Sequence, residues 1–513
     1  MSLLSRWLNQ PWPLILLPLL VIKLALAWAL PLTGDEAYFV LWGLHLDYGY
    51  YDHPPMAGWL TWLQLLVSDH RVWIRLPGLL SELIIAWSLH ALLREHDATR
   101  ARWVALLCLV TPLSLLFVFT LTDTGCVLFA ALSFVTAARS LAGGSLAWSA
   151  LAGALLGLAF LSKYFAVFLG LGHVIFFFGR QPARWRQGLV LVVTAIPFGL
   201  LNLHWNLTHC WSNLLFNLVN RSEAGSGIDP VSVLTYVGMM VYVLLPPVLL
   251  GYRDLRRQGE TVSADLAEVL QLARVLGVTA VTGFLLVSLR KEIGLHWVIW
   301  CQPFLLLLLW PLPLARLQRI TAQVAAIALV HVVLLAGILA WPVSAWKGSV
   351  QWNLLALRDA PAILAQARDA AVVAGAEPGR RLPLATQGYS SASVLAYQAR
   401  EPVMVIGTGS KYARQDDFWT DFRALEGGDV LVLLKREREQ ATIAPWFREA
   451  TPFHVMHQGQ RFDFMLGRGF RYDRYRDTVL TTVRDTYYAF PDWLPACDCE
   501  FTSRYFPPSP SVR

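Results

Sequence analysis

Two adjacent carboxylates, Asp35 and Glu36, follow directly on the first long apolar run of the chain. Acids beside hydrocarbon are costly to ionise unless partnered, so the position suits acid–base work or binding of a divalent metal. The same residues also read as a helix amino terminus: Thr33-Gly34-Asp35-Glu36 opens an apolar-periodic segment, and acids in a first turn favour the helix dipole. The residues alone leave both readings open. Downstream, Asp52 and His53 sit in an aromatic turn, Asp47-Tyr-Gly-Tyr-Tyr-Asp-His-Pro-Pro55, which cannot be helical at its prolines. Asp123, Lys163, Arg290, Lys291 and His296 mark the ends of further apolar runs. Lys163, in Ala159-Phe-Leu-Ser-Lys-Tyr-Phe165, has no acid near it in sequence, which suits a phosphate at a membrane interface. Arg290 and Lys291 also read as solvated loop charges, and Asp123 and His53 equally as a helix cap and a turn residue. Glu82, His90, His173 and His331 lie inside apolar runs without a metal-ligand spacing and read as polar residues bonded to neighbouring helices.

The elements that must hold these residues are membrane helices. With 56% hydrophobic residues, 15% charged and a mean hydropathy of +0.48, an ordinary soluble enzyme is excluded. The charges are uneven: residues 1–341 hold 21 Lys/Arg and 16 Asp/Glu, while the shorter stretch 342–513 holds 21 and 19. The chain therefore reads as a membrane domain, 1–341, followed by a soluble domain, 342–513. The net charge of +7 is spread rather than run in blocks, which speaks for loops near lipid headgroups and against nucleic acid as a partner. Runs of about 20 apolar residues, the length a bilayer needs, suggest about eleven spans. They centre on 12–32, 72–93, 103–121, 124–142, 146–162, 164–179, 188–203, 231–250, 274–289, 296–312 and 320–341; the fifth, sixth and tenth are short. The Lys/Arg bias among the loops puts the amino terminus in the cytoplasm and the domain after residue 341 outside, with the first span an uncleaved anchor. Within the first outer loop, 33–71, Gly34–Leu46 and Pro55–Val67 have the Trp-bearing composition of helices lying in the interface.

In the outer domain Leu382–Ala385, Pro402–Ile406, Val430–Leu434 and Phe462–Gly467 read as strands, with Ser349–Ala374 and Ser390–Gln398 as helices, an α/β unit without a nucleotide-binding motif. Cys210, Cys497 and Cys499 would face an oxidising compartment in this topology, and a disulfide from Cys210 to this pair is open.

Gly34-Asp35-Glu36-Ala-Tyr38, then Trp42, then Gly49-Tyr-Tyr51-Asp52-His53-Pro54-Pro55, resembles the first-loop signature of bacterial membrane glycosyltransferases related to protein O-mannosyltransferases and lipid A aminoarabinose transferases. Leu121-Thr-Asp123, Leu161-Ser-Lys163-Tyr164 and His296-Trp297 extend the likeness over about the first three hundred residues. The resemblance implies a GT-C fold: a polytopic α-helical membrane protein, here of about eleven transmembrane helices with a C-terminal soluble α/β domain. It implies an enzyme of the bacterial inner membrane that takes a sugar from a polyprenyl-phosphate donor and transfers it, with inversion, to an envelope acceptor (lipid, glycan or protein). It makes Asp35 the acid–base residue, supported by Glu36. Lys163, Tyr164 and His296 would surround the donor phosphate, helped by Arg290 and Lys291, and Tyr38, Tyr51, Asp52, His53 and Asp123 are candidate substrate contacts. No cofactor is certain; the donor sugar, the acceptor and a divalent metal stay open. The alternative reading is a transporter or flippase for a lipid-linked sugar, against which stands the lack of internal repeats.

Overall fold

The computed structural model describes residues 13–220, 228–497 and 499–507. Arg6 and Arg221, which enter the loop-charge comparison, lie outside them. Two compact units emerge, each discontinuous in sequence. The first draws its described residues from within 1–30, 54–202 and 223–338, and the second from 31–53, 203–222 and 339–513.

The first unit is helical. Among the described residues six helices are long and apolar enough to cross a membrane: Arg71–Leu109, Thr122–Gly143, Pro182–Thr208, Pro230–Gln258, Ala264–Ser288 and Leu314–Ala340. A seventh candidate arises only when Leu14–Ala29 is counted together with Gly34–Leu44. Six or seven, against the eleven runs expected, has identifiable causes. The second run and the start of the third, 103–109, fall in Leu76–Leu109, where two helical segments meet at a kink at Asp97 (φ −162°, ψ 105°), and the rest of the third run includes the short helix Pro112–Val118. The Asp97 carboxylate accepts the N–H groups of Thr99 and Arg100 and so caps the second half. The short fifth, sixth and tenth runs fold as the shorter apolar helices Leu146–Ser162, Tyr164–Arg180 and Leu295–Leu307.

Small residues let helices approach closely in this unit: Ala130, Ala131 and Ala137 on Thr122–Gly143 and Ala152 on Leu146–Ser162 are fully buried. Several polar side chains inside it are paired across helices. Lys23 bonds Glu82 and donates to the Ser114 carbonyl at 2.8 Å. Arg75 donates to the carbonyls of Ala27 and Leu30, at 3.0 and 2.8 Å, satisfying the open end of Pro13–Ala29. His173 Nε2 meets Ser133 Oγ at 3.2 Å and His331 meets the Tyr242 hydroxyl at 3.0 Å. Glu82, His173 and His331 are thus structural contacts, as their spacing suggested.

The second unit is built on a five-stranded sheet, β1 (Leu384–Thr386), β2 (Val403–Val405), β3 (Val430–Leu434), β4 (Phe447–His457) and β5 (Gln460–Phe470). The strand order is β2-β1-β3-β5-β4. β1 runs parallel to β2 and β3, while β3, β5 and β4 are antiparallel. Val430–Leu434, read as a strand from its sequence, is buried throughout and lies at the centre of the sheet. Ser349–Val373 packs on the sheet, burying Trp352, Leu355 and Leu364 against Phe462 and Leu466. Segment 203–222 is covalently tied to the carboxy-terminal end by a Cys210–Cys499 disulfide, in which Cys497 takes no part.

Candidate functional site

The two adjacent acids have separate fates within the second unit. Glu36 is 1% exposed. Its carboxylate accepts the Thr33 N–H at 3.0 Å while Thr33 Oγ1 accepts the Glu36 N–H at 3.1 Å, a reciprocal capping box at the start of Gly34–Leu44. Asp35, one residue earlier on the helix, is exposed, and its Oδ1 accepts a 2.8 Å hydrogen bond from the Tyr389 hydroxyl. The helix-cap reading therefore describes Glu36, and Asp35 is the acid left open to solvent.

The rest of the first-loop block is an aromatic scaffold. Trp42 stacks on Tyr50 at 4.2 Å, and the Tyr50 hydroxyl donates to the Trp42 carbonyl. Gly49 is required by space, since a Cβ there would meet the Trp205 ring within 2.3 Å. Asn213 and Asn217 donate to the carbonyls of Tyr50 and Asp52, so segment 203–222 fixes the turn from its own side. Tyr38 and Tyr51, 1% and 0% exposed, serve as struts more than as surfaces. The Gln415 N–H donates to the Tyr38 hydroxyl at 3.2 Å, and Gln415 Oε1 accepts the Tyr51 N–H at 2.7 Å. Asp52 is buried, and the His53 ring lies 6.3 Å from that of Trp42.

Gln415 belongs to a buried polar loop that sequence reading passed over. Gly407, Gly409 and Ala413 all have positive φ, the last unusual for a residue with a side chain. The loop is cross-braced by Arg414, which forks onto Asp417 at 2.7 and 3.0 Å and donates to the carbonyls of Thr408 and Ser410. Tyr488 donates to Asp417 as well. The signal available in sequence was Arg414-Gln-Asp-Asp417 beside Gly407-Thr-Gly409, short-range charge pairing in a glycine turn.

Asp416 has a different environment. It is 6% exposed, and burial, with the Asp417 charge second, pushes its carboxyl up to about 7 from an ordinary 3.8. The folded protein therefore holds a proton here between about pH 4 and 7 that the unfolded chain has released, so this group's contribution to stability falls as pH rises through that window. Asp416→Asn, which mimics the protonated form beside Asp417, Arg414 and the Tyr38 phenol, should raise Tm more at pH 8 than at pH 5. Thermal unfolding at the two pH values checks it; an equal shift at both would return Asp416 to an ordinary carboxylate.

The cationic candidates lie in the first unit. Lys163 is not isolated in space: its Nζ lies 2.7 and 2.9 Å from the two carboxylate oxygens of Asp123, and the residues are 4% and 8% exposed. The partner is 40 positions away in sequence, which is why the local reading missed it. Two donors on a single carboxylate leave the ammonium a third donor for a second partner. The Tyr164 hydroxyl donates to Asn202 at 2.7 Å. Arg290 and Lys291 follow the carboxy terminus of Ala264–Ser288, their N–H groups on the Val287 carbonyl, a place where cations favour the helix dipole. Lys291 Nζ lies 5.9 Å from the centre of the Trp297 ring, and His296 is exposed next to that tryptophan. Among the described residues no three His, Cys, Asp or Glu side chains are grouped so as to hold a metal ion.

Two solved structures share this architecture. ArnT from Cupriavidus metallidurans in the apo state aligns with a TM-score of 0.59 over 90% of this chain and 98% of that one, at 17% identity. The same protein bound to undecaprenyl phosphate aligns at 0.56 over 88% and 97%, at 16% identity. The chain thus has the GT-C membrane fold. Residues 52–205 match the model of the dolichyl-phosphate-mannose-protein mannosyltransferase family. Lipid A galacturonosyltransferase RgtD of Rhizobium johnstonii is 31% identical over 181 residues, 34% of this chain and 38% of that protein, so the match spans well under half of the relative's length. Together these matches support the resemblance read from the first-loop residues, to membrane glycosyltransferases related to protein O-mannosyltransferases and aminoarabinose transferases.

Proposed function

We propose that the protein is an inverting glycosyltransferase that moves a sugar from a polyprenyl-phosphate donor to an envelope acceptor on the extracytoplasmic face of the bacterial inner membrane. Residues 1–341 form the membrane part and 342–513 an outer domain. The observation that carries this reading is the division between the adjacent acids: Glu36 is spent on the helix cap, and Asp35 is left as a solvent-reachable carboxylate. An acceptor hydroxyl gives its proton to the second oxygen of Asp35 as its own oxygen bonds to the sugar's anomeric carbon. The bond from that carbon to the phosphate oxygen breaks, and the phosphate leaves with the electron pair. Lys163, oriented by Asp123, stabilises the charge developing on that phosphate, with Tyr164, Arg290, Lys291 and His296 around the lipid headgroup. Asp52 and His53 are the proposed sugar contacts. The likeness to ArnT bound to undecaprenyl phosphate and to a lipid A galacturonosyltransferase supports the donor class and a lipid acceptor.

The test is reconstitution. Right-side-out vesicles containing the protein should transfer sugar from a polyprenyl-phosphate donor to an envelope glycolipid acceptor, and should ignore soluble nucleotide sugars. Transfer from a nucleotide sugar would overturn the donor assignment. Net movement of the intact lipid-linked sugar, without transfer, would favour a flippase.

A further inference from the structure

We propose that Tyr389 is a positioning residue for Asp35, so that the domain following the membrane helices contributes directly to the geometry of the proposed base. The inference rests on the catalytic reading of Asp35 and goes beyond it, since it assigns a task to a segment far along the chain. Tyr389 opens the helix Tyr389–Ala399 of the second unit. Its hydroxyl donates to Asp35 Oδ1 at 2.8 Å across 354 residues of sequence. An exposed aspartate otherwise samples several rotamers. A donor at this distance selects one, occupying Oδ1 and leaving Oδ2 to receive a proton.

A positioning group must itself be held, and this one is. The Tyr389 ring packs against that of Tyr38 with centroids 5.2 Å apart. Tyr38 is buried and fixed in turn by the Gln415 N–H. Below the pair, Gly34 permits the two helices to meet: a Cβ there would fall 1.8 Å from Ser390 Oγ. Burial, followed by the neighbouring Asp35 charge, pushes the Tyr389 phenol well above its ordinary range, so the hydroxyl keeps its proton and remains a donor. Tyr389 therefore takes no part in proton transfer. It holds the group that does.

Tyr389→Phe keeps the ring and removes only the hydroxyl. It should lower kcat about tenfold, the scale of a misplaced reacting group, with the apparent KM for the lipid donor unchanged. Added to Asp35→Asn, the change should cost nothing more. A wild-type kcat in Tyr389→Phe, beside an inactive Asp35→Asn, would overturn the positioning role and leave the catalytic reading intact. A further loss in the double variant equal to that in the single one would make Tyr389 merely structural, which also overturns it. Full turnover in Asp35→Asn would instead remove the reading on which the inference stands.

Discussion

Asp35→Asn should leave the protein folded and membrane-inserted yet lower sugar transfer by about 10²-fold or more, the scale of a lost general base. The substitution isolates chemistry from architecture. Asparagine retains an acceptor oxygen for the Tyr389 hydroxyl and disturbs neither the Thr33–Glu36 capping box nor the packing of Gly34 on Ser390. What it loses is the ability to take a proton. Glu36→Gln is the matched comparison, because glutamine can still close a capping box and should leave turnover close to wild type. The pair of variants thus separates two acids that are adjacent in sequence but differ in exposure. Initial rates at saturating acceptor and matched protein level, with a size-exclusion profile as the folding check, decide the matter. Near-normal turnover in Asp35→Asn would strip that residue of its chemical role.

The contrast between those two residues also shows what sequence could reveal. Thr33-Gly-Asp-Glu36 reads locally both as a cap and as a chemical site; the cap is formed by Glu36, and the proposed chemistry falls to Asp35. The reciprocal capping box is what separates them, since it takes up Glu36 and leaves Asp35 exposed. Local pattern was sufficient where one force dominates: the wholly apolar Val430–Leu434 was legible as a buried strand. It failed for β4, Phe447–His457, an edge strand whose partly exposed polar residues and internal Pro452 do not read as a sheet element. Its pairing to β5 is set by the two-residue turn Gln458-Gly459, both with positive φ, a hairpin signal short enough to be overlooked. The span count is a different case: six or seven helices among the described residues are long and apolar enough to cross a membrane, while three of the eleven runs form shorter helices whose length hydropathy alone does not fix. The paired charges Lys163–Asp123 and Arg414–Asp417 divide in the same way, the second visible at i,i+3 and the first legible only once two helices have packed.

That first pair carries the other large expectation. Asp123→Asn should destabilise the protein by about 3–5 kcal/mol, because it strands the buried Lys163 ammonium without its carboxylate. Lys163→Met should be costly too, for it strands Asp123. The double variant, with no charge to desolvate, should recover much of the lost stability, since replacing both members of a buried pair is often close to neutral. Activity should not follow stability. If the ammonium also serves the donor phosphate, the double variant lacks a charge-assisted hydrogen bond worth about 1.5–3 kcal/mol, and its apparent KM for the lipid donor should rise about tenfold or more. A double-mutant cycle read twice, once by thermal unfolding and once by transfer at limiting lipid donor, keeps the two roles apart. A stable double variant with wild-type donor use would make the pair a membrane-core strut and nothing else. A stable double variant that needs far more donor would show that the protein maintains a buried, carboxylate-oriented cation, despite its desolvation cost, for the phosphate it must release.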